Sequence, residues 1–484
     1  MAARFALAVI VAAILAGFLP VVWLGSATLS FDSYLLRVTA FTLVQAGLST
    51  GLSLALALPV ARALARRAFF GRGVVITLLA LPLALPAIVA VLGIVGAFGG
   101  VFNLYGLTGI LLAHVFFNFP LATRMILSRL ASIPPESFRL GAQLGFRDRD
   151  IWTRIEWPQI RAALPGISVL VFLLCAASFT VVLTLGGGPA ATTLEVAIYQ
   201  SLRFDFDPPR AVSLALVQLG LCAGLALLAH RFGGEVQSWV SLRKASPRQA
   251  GPSRLVDALV IAVGLGLLLP PIVAVVMSGA AHMEFGGDVA RATLTSLAIG
   301  IASACITLAL CWALARGGAP KLSALAIVAG LIMPPAVLAT GWFLLFNSCN
   351  LPAPALVIAM SVLMALPFTY NTLAPAIASA AQQHDRLCLG LGISGFTRFR
   401  LIDLPALRKP LGLGLVLAVI VSLGDLTAIT FFGSQDFVTL PALIYRQMGS
   451  YRIEGAAGTA LILALFTFAL MTLAERWSNA DDQA

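Results

Sequence analysis

Apolar runs long enough to cross a bilayer recur along this chain, and hydrocarbon leaves such a run one structure. It offers the peptide N–H and C=O no partner, so a spanning run of ~18–25 residues satisfies itself as an α-helix. Twelve such runs are expected, at 5–25, 38–61, 74–97, 107–128, 163–185 and 209–230, then 256–278, 292–315, 322–346, 353–380, 411–432 and 456–474. Pro354, Pro367 and Pro375 interrupt the run at 353–380, which makes it the weakest. The alternating short strands of a membrane barrel are not seen. Only 11% of the residues are charged, against about a quarter in soluble domains, so the expected class is an all-α integral membrane protein. The first run follows Arg4 in the manner of a secretion signal, but it is too long and lacks a small-residue cleavage site, so a helix is expected there.

The net charge of +11 would suit a polyanionic partner if it were clustered without regard to the spans. It is not. With the N-terminus placed inside, all but six of the 31 Lys and Arg residues fall in inside segments; the exceptions are Arg37, Arg203, Arg210, Arg291, Arg446 and Arg452. Positive charge is retained on the cytoplasmic side of membrane proteins, which predicts cytoplasmic N- and C-termini and accounts for the charge without nucleic acid. Eight acidic residues, Glu195 among them, fall in outer segments. The six cysteines, Cys175, Cys222, Cys305, Cys311, Cys349 and Cys388, form no C-x-x-C pair and read as small apolar packing residues.

The chain repeats itself. Thr42-Leu43 with Ala63-Leu64-Ala65-Arg66 returns as Thr293-Leu294 with Ala313-Leu314-Ala315-Arg316, and Ala197-Ile198-Tyr199-Gln200 returns as Leu443-Ile444-Tyr445-Arg446. Leu81-Pro82 through Pro86-Ala87 is matched by Met333-Pro334-Pro335-Ala336. Residues 1–232 and 255–484 are thus expected to be two six-helix repeats. The polar, Ser-, Pro- and Gly-containing stretch 233–254 is expected to be a cytoplasmic linker. An even number of spans per half makes the repeat parallel rather than inverted.

Each half also carries a polar, Arg-rich island. In the first, Pro134-Pro135-Glu136 opens, Gly145 sits at a turn, and Ile155-Glu156-Trp157-Pro158 closes; in the second, Gly392 is followed at the same spacing by Ile402-Asp403-Leu404-Pro405. Each reads as two short helices about a glycine turn. The Gly-to-Pro spacing and the Ile-x-Leu-Pro ending resemble the cytoplasmic loop of ABC-importer permeases. That resemblance implies a coupling helix that fits a cleft on an ATPase subunit, with Gly145, Ile155, Pro158, Gly392, Ile402 and Pro405 shaping it. The family's usual Glu-Ala-Ala, six residues before the glycine, is here Arg139-Leu140-Gly141 and Arg386-Leu387-Cys388.

Further stretches, Gly109 to Asn118, Ala177 to Gln200 and Pro335 to Phe346, resemble permeases of thiamine (thiamin pyrophosphate) ABC importers. The resemblance runs over nearly the whole chain and implies two copies of a cytoplasmic ATPase that bind ATP and Mg, a periplasmic thiamine-binding protein, and a small cationic substrate crossing the inner membrane between the halves. Fused ferric-iron permeases share the doubled architecture and are the nearest alternative. An ion-coupled secondary transporter is the alternative of another class. It would use several ionisable groups within the spans, where Asp425 is the one acid clearly placed. A P-loop is absent from the sequence, so ATP hydrolysis would belong to a partner and the chain itself holds no cofactor. For the substrate path, Asp425 is a candidate for attracting a cation, or else caps a kinked helix. Trp342 and Phe346 are candidates for flanking an aromatic cation, and His114 with Asn118, four apart on one helical face, more readily bond between helices.

Overall fold

A computed structural model describes residues 2–28, 32–231, 254–317, 320–346, 351–434 and 437–479. The expected linker, apart from the start of a helix at Arg254, lies outside the described residues, as does Cys349. Among the described residues the chain is helical throughout, without strands. Ten helices among the described residues are long and apolar enough to cross a membrane, with an eleventh span if one bent pair is counted.

The first half runs α1 (Ala2–Thr28), α2 (Ser33–Arg66), α3 (Arg72–Leu78), α4 (Leu81–Ala84), α5 (Ala87–Phe98) and α6 (Leu107–Ala131). It continues through α7 (Pro135–Gln143), α8 (Asp148–Asp150), α9 (Trp157–Ala176), α10 (Thr180–Leu185), α11 (Leu194–Arg203) and α12 (Pro208–Arg231). The second half runs α13 (Arg254–Ala281), α14 (Gly287–Ala315), α15 (Pro320–Ile332), α16 (Pro335–Phe346) and α17 (Ala353–Gly390), then α18 (Gly395–Arg398), α19 (Leu404–Gly424), α20 (Thr427–Phe432), α21 (Leu440–Gly449) and α22 (Ile453–Asn479). A short π-helical turn precedes α9 (Ile151–Glu156) and another precedes α19 (Phe399–Asp403).

Four expected spans are broken rather than continuous, at matching places in the two halves. The run at 74–97 turns by 114° between α4 and α5, at Pro86, which lacks the N–H that a continuing helix needs. The run at 322–346 divides into α15 and α16 around Pro334. The runs at 163–185 and 411–432 stop at Ala176 and Gly424 and resume as α10 and α20. By contrast, the run weakened by three prolines is one 38-residue helix, α17. Pro354 lies in its first turn, where no N–H is required, and packed neighbours let a spanning helix tolerate Pro367 and Pro375.

The halves interlock through their first helices. Helix α1 packs on α14 and α16 of the second half as well as on α12 of its own, and α13 packs on α2 and α5 of the first half as well as on α22 of its own. Both crossings rest on glycine. A Cβ on Gly341 of α16 would run into the Gly17 backbone of α1, and one on Gly93 of α5 would run into the Pro271 carbonyl of α13. Without a hydrophobic drive between helices in lipid, such close backbone approach supplies the packing. Gly341→Leu should therefore push α1 off α16 and lower the thermal midpoint of the detergent-solubilised chain, by a loss of about 2 kcal/mol or more; an unchanged midpoint would contradict the contact.

Short helices tie back in a repeated way too. The N–H of Leu194, opening α11, donates to the Thr42 hydroxyl on α2 at 3.0 Å. The N–H of Leu440, opening α21, donates to the Ser296 hydroxyl on α14 at 2.8 Å.

Candidate functional site

The two polar islands fold alike. At the first turn Gly145 has φ 71°, and at the second Gly392 has φ 65°. This left-handed region costs any residue with a Cβ. At the first turn, the Phe146 N–H donates to the Gly141 carbonyl at 2.9 Å and the Gly145 N–H to Ala142 at 3.1 Å. At the second, Ile393 donates to Cys388 at 2.9 Å and Gly392 to Leu389 at 3.3 Å. These paired bonds close a helix C-terminus through a left-handed residue. Pro158 and Pro405 then each follow a π-helical turn within a helix that runs on into α9 and α19; such single-turn π insertions are accommodated locally inside α-helices.

Gly141 is buried, and a Cβ there would press on Phe146 at 3.1 Å and Ile155 at 3.3 Å. Its counterpart Cys388 is buried as well. Ile155 and Ile402 are half-buried, while Arg139 and Arg386 are exposed. Beside those arginines Leu140, Leu144, Leu387 and Leu391 are all more than half exposed. Each island thus presents an apolar edge flanked by basic side chains. The islands differ where the sequence differs: Pro134-Pro135 separates α7 from α6, while Ala381-Gln382 at the same place lets α17 run uninterrupted into the second turn.

Acidic residues that close the islands fix them to the bundle. Arg62, at the end of α2, donates through Nε to Glu156 at 2.8 Å and lies over the Trp152 ring at 4.4 Å. Arg66 pairs with Asp148. In the second half Arg316, at the end of α14, pairs with Asp403, which Arg398 also approaches at 3.5 Å. Glu156 and Asp403 are almost fully buried. In the sequence both acids stand within Ile155-Glu156-Trp157-Pro158 and Ile402-Asp403-Leu404-Pro405 and were not given this task; their recurrence one residue after the isoleucine was the available signal.

The substrate-path candidates are dispersed. Asp425 stands at the break between α19 and α20, and its Oδ1 accepts the Thr427 N–H at 2.8 Å, a helix cap. Its Oδ2 is buried without a hydrogen-bond partner. Gly424 beside it lies against Pro86 at the break of α5. His114 Nδ1 is 3.1 Å from the Ser49 hydroxyl, and Asn118 donates to the His114 carbonyl at 2.9 Å and to Cys175 Sγ at 3.3 Å. Both side chains thus bond between helices. The Trp342 indole N–H donates to the Ala13 carbonyl of α1 at 3.0 Å, and Phe346 meets Trp342 edge-on.

None of these five lines a cavity of about 420 Å³ at the end of the bundle away from the islands. That cavity is walled by Tyr199, Phe204 and Asp205 of the first half and Tyr445 of the second. Rings with a carboxylate suit a small organic cation, and the volume is that of a small-molecule site.

Glu195 corrects the sequence reading most. Expected in an outer loop, it is fully buried. Its Oε2 accepts the Ala336 N–H in the first turn of α16 at 3.2 Å, and Oε1 accepts Gln218 Nε2 at 3.3 Å. A carboxylate from the first half thereby caps a helix of the second.

Residues 258–480 match the family described as binding-protein-dependent transport system inner membrane component. The thiamine transport system permease protein ThiP of Brucella abortus (strain 2308) is 45% identical over 95% of this chain and 90% of its own length. The protein of the same description from Salmonella typhimurium (strain LT2) is 41% identical over 97% of this chain and 95% of its own. The Fe(3+)-transport system permease protein FbpB 2 of Haemophilus influenzae is 24% identical over 84% of this chain and 82% of its own.

Proposed function

Since the chain belongs to the binding-protein-dependent transport system inner membrane component family, we propose that it is the transmembrane permease of an ABC importer for thiamine or its phosphates, with both membrane halves in one chain. The observation that carries the substrate is the likeness to thiamine permeases along almost the entire chain, against a much lower identity to the ferric-iron permease. In this reading residues 1–232 and 255–484 are two tandem parallel six-helix repeats joined by the 233–254 linker, set in the inner membrane with both termini cytoplasmic. The 25 basic residues on the island side of the spans support that orientation.

Each island docks one copy of a cytoplasmic ATPase. Arg139 and Arg386 meet the ATPase in place of the family's usual acid, and the exposed leucines beside them fill its cleft. Gly141, Gly145 and Gly392 give each loop its turn, while Ile155, Ile402, Pro158 and Pro405 seat it on α9 and α19. Closure of the ATPase pair would draw the islands together and, through Glu156–Arg62 and Asp403–Arg316, move α2 and α14. A periplasmic thiamine-binding protein delivers the cation at the opposite end. The paired breaks at Pro86 and Pro334, beside Asp425 and Glu195, are the natural places for the path to open, with His114, Asn118, Trp342 and Phe346 holding its walls.

Asp425 supplies negative charge near this path. Asp425→Asn keeps an oxygen to accept the Thr427 N–H but removes that charge. Thiamine uptake is expected to fall by about tenfold, on the order of 1.4 kcal/mol, with the complex still assembling. Unchanged uptake by vesicles would remove Asp425 from the path and leave it a helix cap.

A further inference from the structure

Equivalent corners of the two halves are charged differently. In the first half the last turn of α2 carries Arg62, Arg66 and Arg67, and each has an acid: Glu156, Asp148 and Asp257. Asp257 comes from α13, the helix that crosses over from the other half, and accepts from Arg67 Nε at 2.6 Å. In the second half the corresponding positions read Trp312, Arg316 and Gly317, and Gly395 stands where Asp148 would be. The crossing helix here is α1, whose N-terminus lies so close that a Cβ on Gly317 would run into Ala3. It brings Arg4 instead of an acid.

The outcome is a cavity of about 1130 Å³ between the start of α1, the end of α14 and the start of α19. Arg4, Arg316 and Arg408 stand on its wall, with no acidic residue among the described residues that line it. Arg316 is paired with Asp403, yet its Nε is buried without a hydrogen-bond partner. Arg4 and Arg408 are exposed. Below the arginines the lining turns apolar, through Leu308, Leu411 and Leu415. Leu308 is eight residues from Arg316 along α14, about 12 Å into the bundle.

A cationic rim above an apolar slot matches an amphiphile with an anionic head. We propose that this cavity is a binding site for an anionic phospholipid, its phosphate held by Arg4, Arg316 and Arg408 and one acyl chain laid along Leu308, Leu411 and Leu415. Basic pockets between helices at a membrane surface hold such headgroups, and arginine pairs with phosphate through two parallel bonds. Only the choice of the cytoplasmic leaflet rests on the topology proposed above.

The test is native mass spectrometry of the full chain, purified alone in detergent and offered equal amounts of phosphatidylglycerol and phosphatidylcholine. Basic residues near a membrane surface favour anionic lipid, so phosphatidylglycerol adducts should exceed phosphatidylcholine adducts by about tenfold. Arg4→Gln with Arg408→Gln should bring the ratio close to one. Both side chains are exposed, Arg316 is left to hold Asp403, and an elution volume equal to the parent's checks that the double variant is folded. Leu308→Trp should reduce retention of both lipids by filling the slot. Excess inorganic phosphate should leave the adducts in place, since it lacks the acyl chain. Equal retention of the two lipids, an unchanged ratio in the double variant, or displacement by phosphate alone would each overturn the proposal. Neither ATPase nor thiamine enters this assay, so its failure and a failure of the transport reading are distinguishable.

Discussion

Gly145→Pro combined with Gly392→Pro should release the ATPase while leaving the membrane bundle folded. Both glycines hold positive φ, and proline is locked near −65°. Each also donates an N–H to its turn, to Ala142 and to Leu389, and proline has none. No neighbouring atom would meet a Cβ at either site, so the change acts through the backbone of the loop and not through packing. Affinity chromatography of the tagged chain should then recover no ATPase, with the helical circular dichroism and elution volume of the parent. Asparagine tolerates left-handed backbone, so Gly145→Asn with Gly392→Asn should keep the ATPase and serves as the control. Retention of ATPase by the double proline variant would refute the docking role of the islands.

The second large effect falls on Glu195. Glu195→Ala leaves the Ala336 N–H without its acceptor and removes one of the acceptors of the Gln218 amide, which keeps the Ala176 carbonyl, in a buried site, and opens a cavity. The two losses together amount to about 2–5 kcal/mol. Thermal unfolding of the detergent-solubilised chain should show a clear drop in midpoint for Glu195→Ala. Glu195→Gln, which still presents a carbonyl oxygen to Ala336, should recover most of it. Because the bond joins α11 of the first half to α16 of the second, the same variant should speed proteolysis of α16. Equal midpoints for Glu195→Ala and the unmodified chain would mean that the capping bond contributes nothing.

The parts of this molecule that local sequence specifies were legible in it. Apolar length located the helices, because the bilayer tolerates few alternatives, and the doubled Gly-to-Pro spacing located both turns with their positive φ. The breaks in four spans were harder. Pro86 and Pro334 were visible, but prolines at Pro367 and Pro375 leave α17 intact, so proline alone does not separate a break from a tolerated kink; the packing around it does. Glu195 escaped for a related reason. Glu195 reads as one of the acids of the outer segments, and its burial comes from contact with α16, some 140 residues away in sequence. The recurring acids Glu156 and Asp403 were within the repeated motif, yet their partners Arg62 and Arg316 lie on helices that the motif does not include. Arg4, likewise, gains its neighbours Arg316 and Arg408 only because α1 crosses to the other half.

The transport reading stands or falls on ATP hydrolysis by the chain reconstituted in liposomes with its ATPase and binding protein. Thiamine-loaded binding protein should stimulate hydrolysis, and ferric iron should not. Stimulation by iron and not by thiamine would keep the coupling islands and overturn the substrate. A chain that neither retains the ATPase nor alters its hydrolysis under any condition would contradict the account as a whole.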